Sequence, residues 1–226
     1  MFSPIACIRS NRDRDAGFSL VEVMVAIAII AVVAISAGSL AIAGINAAST
    51  QQRRQIAVTI ASGTMESINS MAATVSGSTN VSALYTGRYR ATVHAAWQAN
   101  SGVVGIGQTY EASDPTATPV SSPVVPISPY TSASPLVRSG TNYSVTVLIG
   151  TCYQPTTAPS SGNWDCSTLS GHATAPNTTP TGYTPLMRVM VIVRWTPGIG
   201  CGTSGCKAVV TSLVDSHSDL LWVSHG

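Results

Sequence analysis

The sequence predicts an α+β protein in which one long N-terminal helix packs on a roughly four-stranded antiparallel sheet. Three observations carry this expectation. Residues Val23–Ile45 form an apolar run without a single charged side chain. Of thirteen prolines, Pro4 precedes that run and the other twelve begin at Pro115. Beyond the proline-free stretch, apolar residues recur with a period of two rather than the helical period.

An interior proline costs a helix about 3 kcal/mol or more, so the stretch from Phe18 to about Ala73 reads as one helix. At 1.5 Å per residue it would be about 80 Å long. Its first half is apolar all round and exceeds the about 20 residues that a bilayer span needs. Gly38, Ser39 and Gly44 introduce local flexibility there without a fixed kink. The second half is amphipathic: Ile56, Ile60, Thr64, Ile68 and Met71 recur at spacings of four and three, with Arg53, Arg54 and Glu66 away from that stripe. Such a stripe is a core face for a sheet. Gly77-Ser78-Thr79-Asn80 supplies the stop.

Four segments alternate as strands with one buried face each. In Arg88–Trp97, Tyr89, Ala91, Val93 and Ala95 alternate with Arg88, Arg90, Thr92 and His94. In Asn142–Ile149, Tyr143, Val145, Val147 and Ile149 do so, and in Met187–Trp195 so do Met187, Val189, Val191, Val193 and Trp195. Lys207–Val214 repeats the pattern more faintly, and the Gly-rich loop Pro197–Gly205 makes the last two segments a hairpin. Arg88, Arg90, Arg188 and Arg194 fall on the expected exposed sheet face. The amphipathic half-helix is the available cover for the apolar face. Between the strands, Ser113–Pro135 carries six prolines and Pro155–Pro185 five, a composition of extended, solvated backbone.

The composition excludes several function classes. Only 9% of residues are charged and the net charge is +2, so little electrostatic force draws nucleic acid; a DNA-uptake role for the strand arginines is a minor alternative. Gly200-Cys201-Gly202-Thr203-Ser204-Gly205 matches G-x-G-x-x-G, but strand-like Lys207-Ala208-Val209-Val210 follows where a dinucleotide site needs a helix. The glycines are turn residues. There is no G-x-S-x-G elbow, and His94, His172, His217 and His225 lack metal-binding helix spacing. Asp215-Ser216-His217-Ser218-Asp219 reads as a solvated turn rather than a ligating or hydrolytic cluster. We expect no enzyme activity, cofactor or metal.

Five cysteines divide by position. Cys7 lies before the apolar run, and Cys152, Cys166, Cys201 and Cys206 lie well after it. Four cysteines allow three pairings. Nearest-neighbour pairing, Cys152 with Cys166 and Cys201 with Cys206, closes two short loops, each worth about 2–4 kcal/mol. The rival, a four-thiolate zinc site, asks for short spacing on both arms, and only Cys201–Cys206 approaches it. Disulfides would place the body outside the cytoplasm. Arg9, Arg12 and Arg14 before the span and Arg53 and Arg54 after it lean slightly toward a cytoplasmic amino terminus.

The opening of the apolar run carries the strongest functional signal. A secretory signal has its small-residue cleavage site after the apolar core; here Gly17 stands before it, followed by Phe18 and, four residues on, by Glu22. An ionisable group inside a span costs about 2.5–3.5 kcal/mol on insertion scales and is a candidate for function. Gly17-Phe18-Ser19-Leu20-Val21-Glu22 with unbroken hydrophobics behind it resembles the class III signal of type IV prepilins and type II secretion pseudopilins, over Gly17 to about Ile45. The resemblance implies that a prepilin peptidase cuts after Gly17 and that the new amino terminus, Phe18, is N-methylated. It further implies a leader 1–17, a transmembrane and assembly segment 18–45, and an extracytoplasmic pilin-like domain 46–226. Glu22 would pair with the Phe18 amine of a neighbouring subunit during assembly.

Major pilins commonly carry a proline in the apolar half-helix, and this chain has none there. That departure, with the Ser-Leu-Val-Glu-Val-Met wording and the Trp195-ended hairpin, leans toward the minor pilins of the type IV pilus modification group. The expected partners are other pilins through helix packing, the prepilin peptidase and methylase, and a pilus or secretion assembly platform in the inner membrane. A minor pseudopilin of a type II secretion system is the nearest alternative. From another class, the alternative is an uncut, signal-anchored extracytoplasmic binding or enzymatic domain. Cys7 also raises a lipoprotein reading, which fails because no apolar core precedes it.

Overall fold

A computed structural model describes residues 19–74, 81–157, 164–196, 201 and 205–215. Helix α1 runs over Leu20–Thr74 and helix α2 over Arg90–Gln98; 3-10 turns occupy Val81–Tyr85 and Ile106–Gln108. Five strands follow: β1 Tyr110–Glu111, β2 Leu136–Arg138, β3 Thr141–Pro155, β4 Tyr183–Thr196 and β5 Cys206–Asp215. The chain divides into one unit up to Ala48 and a second from Ser49. The sheet belongs to the second unit. It is antiparallel throughout, in the order β1-β3-β4-β5, with β2 also paired to β3.

The α+β architecture is the one expected, pilin-like in its long N-terminal helix and antiparallel sheet. Its centre is the β3–β4 pair, in register from Asn142 opposite Thr196 to Pro155 opposite Tyr183. Alternate side chains leave a strand on opposite faces. On one face, Tyr143, Val145, Val147, Ile149, Val189, Val191, Val193 and Trp195 pack with Ala57, Ala61, Met65 and Ile68 of α1. The Tyr143 hydroxyl donates to the Arg53 carbonyl at 3.3 Å and ties the sheet to the helix. On the other face, Leu148, Met190 and Ile192 pack with Val93 and Trp97 of α2 and with Val103, Ile106 and Ile127.

Several expectations change. The helical stripe is centred on Ala57, Ala61, Met65 and Ile68, all buried, while Ile56, Ile60 and Met71 only flank it. Alanine adds little to a hydropathy pattern, yet it lets a helix backbone approach a sheet closely. The segment Arg88–Trp97 is not a strand: residues 90–98 are helical, with Tyr89 as an extended N-cap. Its three alanines favour helix, and only Val93 and Trp97, one helical turn apart, are buried. The sheet has five strands, because β1 and β2 are two and three residues long, too short to show a period. The other predicted strands are present and longer than expected.

Strands β3 and β4 also do not have one buried face each, whereas β5 alternates between buried or half-buried and exposed residues. From Val147 to Gly150 and from Met187 to Val193 every residue is buried, since α2 and the segment behind it cover the second face. The predicted exposed arginines follow suit. Arg88, outside the sheet, is 1% exposed and Arg188 on β4 is 7% exposed; Arg194 is half-buried, and Arg90 is exposed on α2. The helix stop at 77–80 and most of the 197–205 loop lie outside the described residues. Within that loop, Gly205 leads directly into strand β5 and not into a helix.

Ser113–Pro135 has no regular structure beyond an isolated bridge, but it is not wholly solvated: Val125 and Ile127 are buried. The Ile127 carbonyl accepts from Val147 N at 2.7 Å and the Tyr130 carbonyl from Val145 N at 2.8 Å. A proline-rich segment lacks donors and keeps its acceptors, which suits it to the outer edge of β3. The Val147 carbonyl on that edge accepts from Arg88 Nη2. Among the described residues, Nε and Nη1 of Arg88 have no partner. Burial lowers the guanidinium from its ordinary value to about 10.

Two predictions follow from this packing. A Cβ on Gly150 would run into the Tyr110 carbonyl and Thr109 Cγ2, with the Trp97 ring at 3.0 Å. Gly150→Ala should therefore cost about 1–3 kcal/mol, as overpacking does, read as lowered thermal melting of the detergent-solubilised chain. Arg88→Met loses one hydrogen bond and also removes a buried cation that has no carboxylate partner among the described residues. Such replacements are often neutral or stabilising, so it should melt within a few degrees of wild type near neutral pH. The folded value of Arg88 lies below the unfolded one, so its burial penalty is fully present below about pH 10 and is relieved as the pH rises through that value. The variant's melting relative to wild type should accordingly decline above about pH 10.

Candidate functional site

The described part of the first unit presents an apolar helical surface with a carboxylate at its start. Helix α1 opens with the Ser19 carbonyl accepting from Val23 N at 3.2 Å. Glu22 lies in the first turn, where the helix macrodipole favours an anion. Every residue from Ser19 to Ile45 is exposed. Leu20 is 75% exposed, Ile35 74% and Leu40 77%. The most apolar 18-residue window of this helix has a mean hydropathy of 2.7 and none of it is buried.

An apolar surface of this extent is not stable in water and marks a membrane or protein contact. The helical backbone satisfies its own polar groups, as a bilayer requires. The hydroxyls inside the run do so as well: Ser36 donates to the Val32 carbonyl at 2.9 Å and Ser39 to the Ser36 carbonyl at 2.8 Å. Side chains at Gly38 or Gly44 would meet nothing within 4 Å, so these glycines leave room for another helix to approach closely. The helix continues through both without interruption. Gly17, Phe18 and Cys7 lie outside the described residues.

The four later cysteines belong to the second unit. Cys152 on β3 and Cys166 are bridged with Cα atoms 5.3 Å apart, and Cys201 and Cys206 are bridged with Cα atoms 5.0 Å apart. The two bridges sit toward opposite ends of β4, because Cys152 pairs with Leu186 and Cys206 with Trp195. Of the histidines, His94 on α2 faces Glu111 on β1 at 3.0 Å on the surface. His172 contributes its carbonyl to the Tyr110 hydroxyl. His217, His225 and most of the Asp215–Asp219 stretch lie outside the described residues. Among the described residues, no three His, Cys, Asp or Glu side chains gather as a metal would need.

Sequence reasoning missed the buried arginines. The signal was present: Arg188 and Arg194 share a face of β4 with Met190 and Ile192, and two apolar residues there point to a covered face. Arg194 Nη2 donates to Asn100 Oδ1 at 2.9 Å, holding the turn after α2 against the sheet.

Residues 12–38 match the prokaryotic N-terminal methylation motif, the prepilin-type cleavage and methylation segment of type IV pilin-like proteins. The match takes in Gly17, Phe18, Glu22 and the first part of the apolar helix. Proteins known by this motif are structural rather than enzymatic. No curated protein and no solved structure matches the chain.

Non-reducing peptide mapping of the purified protein should join the Cys152 peptide to that of Cys166 and the Cys201 peptide to that of Cys206. Recovery of either pair as free thiols, or of zinc with the protein, would contradict the bridged geometry.

Proposed function

We propose that this chain is a minor type IV pilin-like subunit, held in the inner membrane by residues 18–45 and assembled into, or priming, a pilus or pseudopilus filament. One observation carries the reading. The methylation motif at residues 12–38 runs directly into a helix whose apolar side chains are exposed on every face. A segment of that kind serves as a bilayer anchor before assembly and as a packing element after it. Cleavage after Gly17 removes the polar leader 1–17 and frees the Phe18 amine, which is then methylated. The domain from residue 46 lies outside the cytoplasm, in keeping with its bridged cysteines.

Glu22 gives assembly its polarity in this mechanism. A carboxylate and an amine that enter an apolar helix bundle separately each pay for desolvation, and pairing offsets both costs. The Glu22 carboxylate of one subunit therefore receives the Phe18 amine of the next. The absence of a proline from residues 18–45 favours a minor subunit over a major one. The partners in this reading are other pilins, the prepilin peptidase and methylase, and the assembly platform. A minor pseudopilin of a type II secretion system uses the same segment, and co-purification with pilus or with secretion components separates the two.

Processing is tested at the amino terminus. Mass spectrometry of the membrane-extracted protein should find Phe18, methylated, as the first residue. Chains still carrying Met1–Gly17 in cells with an active prepilin peptidase would point instead to an uncut anchor.

Glu22→Ala separates assembly from insertion. The variant should insert, be cleaved and fold as wild type does, because removing a charge from a span makes insertion easier, not harder. It should be depleted from sheared filament fractions, since a buried unpaired amine costs about 3–5 kcal/mol. Equal filament recovery at equal membrane level would remove Glu22 from the mechanism.

A further inference from the structure

The charges of the second unit are sorted along its strands. Strand β3 begins at Thr141, opposite Arg138 of β2; three residues on, Ser144 is opposite Arg194 of β4, which is opposite Lys207 of β5. The bond from the Tyr143 hydroxyl to the Arg53 carbonyl brings Arg53 and Arg54 of α1 to this same end. Five of the eight basic residues after the apolar run therefore gather where β3 starts; of the other three, Arg88 and Arg188 are buried and Arg90 lies on α2. Arg54, Arg138 and Lys207 are exposed. The described acids lie elsewhere. Glu111 is opposite Gly150, Asp215 is opposite Leu186 toward the other end of the sheet, and Asp165 adjoins the cysteine bridged to Cys152. Asp114 binds the Arg88 carbonyl through its backbone N at 3.0 Å, and Glu66 follows Arg54 by about 18 Å of helix.

Arg194 and Lys207 are direct cross-strand neighbours, and like charges so placed destabilise a sheet. Each donates to a neutral oxygen, Arg194 Nη2 to Asn100 Oδ1 at 2.9 Å and Lys207 Nζ to the Gly102 carbonyl at 3.5 Å. Neither bond cancels the repulsion. An anion brought from outside the chain would.

We propose that this basic end docks on anionic lipid headgroups at the surface of the membrane that residues 18–45 enter, an inference that rests on the anchor reading above. Arg54 follows Ile45 by nine residues, about 14 Å of helix, so the tether keeps that end within reach of the headgroups. Arginine forks match phosphate oxygens, and each basic residue near an anionic surface adds an attraction that fades within a Debye length. The same phosphates repel Glu111 and Asp165, which are exposed toward the other end. The two effects turn the domain so that the surroundings of Arg138 and Lys207 meet the bilayer. Docking holds a subunit in one orientation at the surface, and entry into a filament requires that it be given up. Nucleic acid offers phosphates too, but a patch on the tethered end is turned toward lipid, and a net charge of +2 draws a long polyanion weakly.

The test incorporates the full chain into lipid nanodiscs of phosphatidylcholine alone, or with about a third phosphatidylglycerol, each carrying a trace of lipid with a gadolinium-chelating headgroup. Amide relaxation by the gadolinium then reports which end lies at the surface. In anionic discs, Ser139–Asn142 should relax faster than in neutral discs and Thr151–Gln154 should not. About 0.5 M salt, which shortens the Debye length to about 4 Å, should remove the difference. Arg138→Gln with Lys207→Gln should lower the docked-to-free ratio about fivefold for each charge removed, with unshifted amide signals at Val189–Val193 showing the fold intact. Incorporation with equal relaxation in both lipids would overturn the docking alone and leave the anchor in place. Failure to incorporate into either disc would overturn the anchor reading and the docking with it. A lipid dependence unchanged in the double variant would remove these residues from the contact. Binding of a short DNA duplex to the neutral discs, lost in the double variant and without any lipid dependence, would assign the basic end to nucleic acid instead. Should the variant not fold, the lipid and salt series on the parent chain decides the matter.

Discussion

The body of this protein depends on the pairing of β3 with β4, two long strands buried on both faces. A strand covered on one side needs a single packing partner, and a strand covered on both needs two. The C-terminal part of α1 supplies one cover through Ala57, Ala61, Met65 and Ile68. Helix α2 and the turns behind it supply the other through Val93, Trp97, Val103 and Ile106. The outer edge of β3 adds a further demand, because buried peptide groups must find partners. Short pieces meet it in sequence: β2, the carbonyls of Tyr130 and Ile127, the Arg88 guanidinium, Ala112 N and β1. No regular strand is needed where irregular backbone and one cation present the right groups.

A chain with so few charges uses its buried cations unusually. Among the described residues, the guanidinium groups of Arg88 and Arg188 donate to neutral oxygens. For Arg188, burial draws the guanidinium below its ordinary value and the Asp165 charge opposes that only in part. Arg188 acts as a three-point hydrogen-bond donor that joins layers, whereas Arg88 makes one such bond, to the Val147 carbonyl; carbonyls are the acceptors that loops and strand edges have to spare. The arrangement binds covalent and polar organisation together, since one of the Arg188 acceptors is the carbonyl of a bridged cysteine.

The N-terminal segment follows a different logic from the body. Its helix needs no tertiary partner for its backbone, and its serine hydroxyls turn back onto that backbone. Its apolar side chains can therefore be given wholly to lipid or to other helices. Glu22 is the exception, a carboxylate in the first turn of that surface, where the helix macrodipole favours an anion. Body and anchor thus place different demands on the chain, one for internal satisfaction and one for outward adhesion.

The sequence by itself determined the features that depend on local composition. The proline-free run dictates α1, the uncharged stretch dictates the apolar half, and period-two alternation marks β3, β4 and β5. The Gly17-Phe18 junction with Glu22 pointed to the methylation motif, because that signal is read as linear sequence. Tertiary structure decided what local pattern leaves ambiguous. Residues 88–97 alternate well enough for a strand, yet a second sheet face required a cover, and Val93 and Trp97 one turn apart meet it as a helix. Arg88 and Arg188 look solvent-facing by alternation, but their environment was set by segments distant in sequence. Leu148, Met190 and Ile192 hinted at that second covered face. Only the fold shows which segments supply the cover, because packing partners are chosen in space and a linear pattern carries no record of that choice.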